Sequence, residues 1–270
     1  MPGEYTIAGG LADAQRLARQ AHVMASQSSA FLSRIGLASG WACLDVGCGD
    51  GQVTLAMARA AGPSGRAVGV DMDAEALAIA REAAMRAGVR AEFLQADAVC
   101  PIETEAFDLA YARLLLSHLI DPSAAVRAMR AEVRPGGVVA VEDIFLGTLR
   151  SDPPEPALDR LQEIYGGAVR FHGGDPTIGP RLRALLSASG LDDISEETVV
   201  NPMRSVDEKL FLAQLVRNMR PSILAADAAT DAELEALEGR IAEAAREPTT
   251  VFYQARVHQV SGRRPECSAG

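Results

Sequence analysis

Lysine is almost missing from this chain: Lys209 is the sole example among 270 residues, and arginine carries the remaining positive charge. With 26 Lys plus Arg against 36 Asp plus Glu, the formal net charge is −10. Binding a phosphate backbone depends on clustered cations, so this balance argues against a nucleic-acid surface and leaves small molecules as the expected partners. Cysteine is scarce too. Cys43, Cys48, Cys100 and Cys267 show no C-x-x-C spacing, so a disulfide framework is not indicated and reduced thiols, as in the cytoplasm, are expected. Four histidines, at 22, 118, 172 and 258, make no i, i+4 pair, so no metal is expected. Long apolar runs are lacking as well. No stretch reaches the roughly 18 residues of a membrane span, and residues 1–10 have neither the basic region nor the apolar run of a signal peptide. A soluble protein is expected.

What is present is an apolar fraction of 48%, enough for one large α/β domain or a domain with a sizeable insertion. The apolar run 41–46 leads into Gly47-Cys48-Gly49-Asp50-Gly51, and a helix follows from Gln52. Glycines let a ligand approach the backbone without Cβ interference, and the helix presents its N-terminus. The dinucleotide fingerprint G-x-G-x-x-G is not met, because Gln52 holds its sixth position. Asp45 and Asp50 flank the turn; two carboxylates repel a pyrophosphate but suit an ammonium and a sulfonium. Asp71 closes the next apolar run, close to the roughly 20-residue spacing at which an acidic residue meets a ribose. The pocket therefore reads as one for S-adenosylmethionine. Asp97 is placed to accept from the exocyclic amine of adenine, with the amide of Ala98 donating to a ring nitrogen and Met72 against the ring face.

Further along, strands are expected at 67–71, 91–95, 107–112 and 138–143, alternating with helices begun by Asp73 and by Asp121-Pro122. A helix over 12–34 precedes them. This alternation predicts a parallel, doubly wound, Rossmann-like α/β sheet with ligands outside the carboxyl ends of the strands. Beyond residue 144 a helix is expected from 151 to about 169, then a loop carrying Phe171, His172 and Asp175, a helix over 178–189, and a sixth strand over 191–201. The seventh strand is expected over 251–260. The intervening stretch fits two helices: Ser205 to Glu208 is a capping-box pattern, Leu212, Leu215, Val216 and Met219 share a face before Pro221 ends the first, and Asp231 caps the second, with Leu234, Leu237 and Ile241 inward. The pair is either a lid over a substrate or a homodimerisation arm, and the lid is preferred because the insertion after strand five also needs an apolar partner. The expected organisation is an N-terminal helical flap (1–38), a core (39–145), a helical substrate-binding insertion (146–180), core again (181–202), a helical lid (203–247), and a last strand with tail (248–270).

Leu44 to Gly51, together with Val70-Asp71-Met72-Asp73, resembles motifs I and II of class I S-adenosylmethionine-dependent methyltransferases. Over residues 40–145 the chain is similar to small-molecule methyltransferases related to ubiquinone and menaquinone biosynthesis, a group that includes bacterial natural-product enzymes. The resemblance implies a seven-stranded sheet of order 3-2-1-4-5-7-6 with helical lid insertions. Tyr5, with Gly9-Gly10, Arg16-Leu17 and Gln20, resembles the segment that folds over the methionine end of the cofactor, and Ala112-Arg113 and His118 match the motif after strand four. The cofactor set is then Tyr5, Gln20, Asp45, Gly47, Cys48, Gly49, Asp71, Met72, Asp97, Ala98, Ala112, Arg113 and His118.

Methyl transfer from a sulfonium is an in-line displacement of a neutral leaving group, so a base is needed only where the acceptor must lose a proton. His118 is the first candidate, with packing beside the cofactor as its alternative role. Glu142, next to Asp143 at the end of strand five, and His172 on its loop are the others. The expected acceptor is an aromatic or otherwise apolar secondary metabolite. A nicotinamide-dependent oxidoreductase and a non-catalytic cofactor-binding regulator or partner subunit are the competing readings.

Overall fold

The computed structural model describes Met24 and residues 26–266. Tyr5, Gln20, Cys267 and most of the expected 1–38 flap lie outside the described residues. Strands β1 (Ala42–Val46), β2 (Arg66–Asp71), β3 (Glu92–Gln95), β4 (Phe107–Arg113) and β5 (Val133–Phe145) run parallel, with β1 between β2 and β4. Helices α1 (26–34), α2 (Gln52–Ala61), α3 (Ala74–Ala87) and α4 (Pro122–Glu132) accompany them. Parallel strands covered on both faces need near-continuous apolar sequence; Cys43 to Val46 and Leu109 to Ala112 are accordingly buried without alternation. Local chemistry sets the helix ends as expected. The Asp73 side chain accepts from the amides of Glu75 and Ala76, Gly88 takes a left-handed φ of 63° after α3, and Asp121 caps α4 with Pro122 in its first turn.

On the far side of β5 lie β10 (Arg256–Arg263) and β7 (Asp192–Val199), both antiparallel to their neighbours. The sheet order is β3-β2-β1-β4-β5-β10-β7, which, numbered over this sheet alone, runs 3-2-1-4-5-7-6. The added element is a second sheet of three short antiparallel strands, in the order β6 (Arg150–Asp152), β9 (Val251–Tyr253), β8 (Pro202–Met203). The expected single strand over 251–260 is therefore two strands. Gln254 breaks it by donating its amide to the carbonyl of Asn201, so that Phe252 enters one core and Val260 the other. For the same reason the helix expected from 151 starts later, as α5 (Pro156–Phe171), because residues 150–152 pair with β9. The helix expected over 178–189 is shorter too: a 3-10 turn at Gly179–Arg181 precedes α6 (Leu182–Ala188).

Helices α5, α7 (Val206–Ala225) and α8 (Asp231–Arg246) build a core of their own around Leu161, Leu212, Met219, Ile241 and Phe252. The capping box at Ser205 and Glu208 forms. Pro221 does not end α7, contrary to expectation. Met219 and Ile223 are both fully buried in this core, and their burial outweighs the hydrogen bond that a proline forgoes. The cap of α8 is Thr230, whose hydroxyl accepts from the amide of Glu233, and Asp231 is instead the first helical residue, where its charge favours the helix N-terminus. Among the described residues no helix is long and apolar enough to cross a membrane.

The single lysine lies inside this second core. Lys209 is wholly buried, and its Nζ donates to the carbonyls of Glu247 at 2.8 Å and Thr250 at 2.9 Å, 6.0 Å from the centre of the Phe252 ring. It fastens α7 to the turn between α8 and β9. Replacing it with methionine (Lys209→Met) keeps the aliphatic stem but leaves the buried Thr250 carbonyl without a donor. Urea denaturation should show a loss of about 1–2 kcal/mol, and an unchanged midpoint would mean that the ammonium does not hold these elements together.

Candidate functional site

The carboxyl ends of β1, β2, β3 and β4 meet at the glycine turn. Gly47, Gly49 and Gly51 have φ of 70°, 52° and 79°. A Cβ on Gly47 would lie 2.9 Å from Leu115, and one on Gly51 2.9 Å from Ala80, so side chains are excluded by space as well as by conformation. Asp71 fixes the turn from the neighbouring strand. Its two oxygens accept from the amides of Gly49 at 2.8 Å and Asp73 at 3.0 Å, and each keeps a lone pair for a ligand hydroxyl.

Two chambers open from this edge. The first, enclosing about 1240 Å³ partly open to solvent, is lined by Asp71, Met72, Asp97, Ala98, Leu119 and His172 among others. The second, of about 1070 Å³, has Asp45, Asp50, Arg113 and Ser117 at its sheet end and Leu161, Tyr165, Phe211, Leu212 and Gln254 above. Gly47 and His118 line both.

Asp45 is the more deeply buried of the two carboxyls, with Asp50, that line the second chamber. The Thr54 hydroxyl donates to it at 2.6 Å, yet burial pushes its pKa up to about 6, against the opposing pull of that hydrogen bond and of Arg113. A carboxylate in this state gains from a cation placed beside it. Asp143, also buried and raised to about 6 by burial, accepts from the amides of Ser117 at 2.9 Å and Ile144 at 2.8 Å. It holds the turn after β4, where Leu114 takes a left-handed φ of 53°. Burial raises the Cys48 thiol far above its usual range, with the charges of Asp45 and Asp71 adding, so Cys48 contributes wall and backbone, not a nucleophile.

Of the residues expected from sequence, the second chamber gathers Asp45, Gly47, Cys48, Gly49, Arg113 and His118, and the first gathers Asp71, Met72, Asp97 and Ala98. Two are not at the site. Ala112 packs inside the sheet core with Val46 and Val141. Glu142 lines neither chamber: it accepts from the hydroxyl of Tyr111 and from Gln259 Nε2 at 2.9 Å, in a buried network that continues to Arg34 on α1. The strand turns this side chain toward α1, so it is no base for a ligand. His172 is at the site but in the first chamber. It closes α5, is 5% exposed, stands edge-on to Phe171, and neither ring nitrogen has a hydrogen-bond partner among the described residues. Its loop is drawn there because the Asp175 amide donates to the Ser117 carbonyl at 2.9 Å and Gly174 fits so closely that a Cβ would lie 2.3 Å from that same oxygen. Sequence reasoning missed Thr54, Leu115, Tyr165, Phe211 and Gln254. Only Thr54 had a signal, as a polar side chain on the buried face of the helix that follows the glycine turn.

Residues 44–141 match the family described as methyltransferase domain. The chain is 36% identical over 122 residues to the ubiquinone biosynthesis O-methyltransferase of Pseudomonas fluorescens, covering 44% of this chain and 49% of that protein. It is 34% identical over 134 residues to the protein of the same name from Sodalis glossinidius, covering 49% and 51%. The match thus spans about half the length of these relatives. Among solved structures, the fold is similar to the YcgJ protein of Bacillus subtilis, with a TM-score of 0.60 and 18% identity over 90% of this chain and 100% of that one. It is also similar to the [4+2]-cyclase SpnF, with a TM-score of 0.57 and 20% identity over 90% and 82%.

The raised carboxyl of Asp45 has a measurable consequence. Its folded pKa exceeds the unfolded value, so between about pH 4 and 6 the native state holds a proton that the unfolded chain has lost. Asp45 therefore weighs progressively against folding as pH rises through about 6. Relative to Asp45→Asn, the unliganded wild type should gain on the order of 2 kcal/mol in denaturant stability between pH 7.5 and pH 4. A pH-independent difference would show that the carboxyl is not held in this state.

Proposed function

We propose, from the premise that residues 44–141 form a class I methyltransferase domain, that this protein transfers a methyl group from S-adenosylmethionine to a small, largely apolar acceptor such as a secondary metabolite. The carrying observation is that two chambers of different chemistry touch at Gly47 and His118. In the first, Asp71 offers its oxygens to the ribose hydroxyls, Asp97 and Ala98 meet the adenine edge, Met72 covers a ring face, and His172 closes the far wall. At the sheet end of the second, Asp45 and Asp50 supply the negative field that suits an ammonium and a sulfonium. The same carboxylates disfavour the diphosphate of a nicotinamide dinucleotide. Bound there, S-adenosylmethionine supplies a methyl group activated by a good, neutral leaving group.

The chain's own contribution is alignment and exclusion of water. Phe211, Leu212 and Leu215 of α7 and Leu161 and Tyr165 of α5 roof the second chamber, which supports the lid reading of α7 and α8 over the dimer arm. An acceptor hydroxyl, amine or activated carbon facing the junction forms its bond to the methyl carbon as the carbon–sulfur bond breaks, the electron pair leaving with sulfur. His118 is positioned to take the acceptor's proton.

Calorimetry of the purified protein should show S-adenosylmethionine and S-adenosylhomocysteine binding and NAD not binding, with Asp71→Ala weakening both of the former about tenfold or more. Equal affinity for NAD would overturn the assignment. With an isotope-labelled methyl donor and a metabolite extract, His118→Ala should slow transfer at least about 100-fold while leaving adenosylhomocysteine affinity within about twofold. Parallel losses would make His118 a wall residue. Donor binding without transfer to any component of the extract would favour a different activity on this fold.

A further inference from the structure

Apart from the buried Ser117 hydroxyl at the sheet end, the second chamber has a polar side chain at its roof end that the fold holds in place. Gln254 sits at the break between β9 and β10 and is 7% exposed. Its backbone amide donates to the carbonyl of Asn201 at 2.9 Å, and Asn201 Nδ2 donates to Gln254 Oε1 at 3.0 Å. The amide plane is thereby fixed, and Nε2 has no acceptor among the described residues. The residue lines the chamber, and a ligand oxygen reaching this NH₂ would exchange water for a hydrogen bond of fixed geometry. Around it the wall is apolar, formed by Leu146, Leu149, Phe211 and Leu212, and the charged side chains lining the chamber among the described residues, Asp45, Asp50 and Arg113, belong with the imidazole of His118 to the opposite, sheet end.

The spacing gives a size. His118 follows β4 and Gln254 precedes β10, two strands away across the carboxyl edge, which is about 10 Å at ordinary strand separation. We infer that the acceptor is an uncharged skeleton of one or two rings bearing a hydrogen-bond-accepting oxygen that Gln254 Nε2 grips at the end remote from the methylated atom. This deepens the methyltransferase reading and rests on it for which end is methylated. A phosphate, carboxylate or ammonium at the Gln254 end would be stripped of water with no opposite charge to meet it. Gln254 is accordingly a specificity residue that acts by holding substrate and moves no proton.

Two neutral bicyclic phenols separate the possibilities: 7-hydroxy-4-methylcoumarin has a carbonyl opposite its hydroxyl, and 2-naphthol has the same girth without one. In fluorescence titrations of the full chain with adenosylhomocysteine, the coumarin should bind about tenfold more tightly than the naphthol. That preference should shrink to within about twofold in Gln254→Leu and in Gln254→Met, which retain bulk but lose the donor. Unchanged adenosylhomocysteine affinity in both variants establishes that they are folded. Equal binding of the two phenols by wild type, a preference that survives Gln254→Leu, or tighter binding of phosphoethanolamine or sarcosine would each overturn the inference. Repeating the titrations without adenosylhomocysteine separates the two claims. Failure of the wild type to bind adenosylhomocysteine strikes the donor assignment, whereas the coumarin-to-naphthol ratio and its loss in Gln254→Leu decide the role of Gln254 alone.

Discussion

Everything at the working edge of this molecule is organised around the turn that leaves β4, from Leu114 to Ile120. From below, the buried carboxylate of Asp143 accepts the amide of Ser117. From the side, Leu115 fills the space a Cβ on Gly47 would need. From above, Gly174 and the amide of Asp175 close on the Ser117 carbonyl. These contacts join three parts of the chain that are remote in sequence: the glycine turn, the end of the fifth strand, and the loop after α5. His118 projects from the piece so held and therefore stands where the chambers meet. Protein interiors deform in discrete steps, so a turn gripped on three sides keeps a fixed separation between the two chambers.

The molecule has two apolar cores, and they divide the labour. The core of the large sheet, around Leu44, Val68, Ala110 and Val139, fixes the strand ends and so fixes the glycine turn, Asp71 and Asp97. The core of α5, α7, α8 and the small sheet, around Leu161, Leu212 and Phe252, fixes the roof. The family match, residues 44–141, lies in the chain segment that builds the first, and the residues that would choose an acceptor lie mostly in the second. A fold similar to that of the [4+2]-cyclase SpnF supplies a frame that does not by itself fix the reaction.

The parts of the structure legible in the sequence were those whose causes are local. The glycine turn, the Asp73 and Asp121 caps, the Ser205 capping box and the alternation of apolar runs with helices each follow from neighbouring residues, and together they imply the sheet and the edge at which the first chamber opens. What was not legible depends on distant partners. The division of 251–260 into two strands needs Asn201 to receive the amide of Gln254. The passage of α7 through Pro221 needs a core on the far side to bury Ile223. The withdrawal of Glu142 from the site needs Tyr111 and Gln259 behind it. His172 was readable as an unusual loop residue, but its chamber is decided by how closely Gly174 approaches Ser117, a fact of tertiary packing.

The concealment of Lys209 also has a practical side. Because no other lysine exists in the chain and this one has no contact with solvent, succinimidyl esters and similar acylating reagents find no side-chain amine on the folded surface. Any acyl group acquired by Lys209 must have arrived while α7 was parted from the segment around Thr250. The rate of that acquisition is thus a built-in clock for roof opening, readable by mass on the unmodified protein without introducing a label.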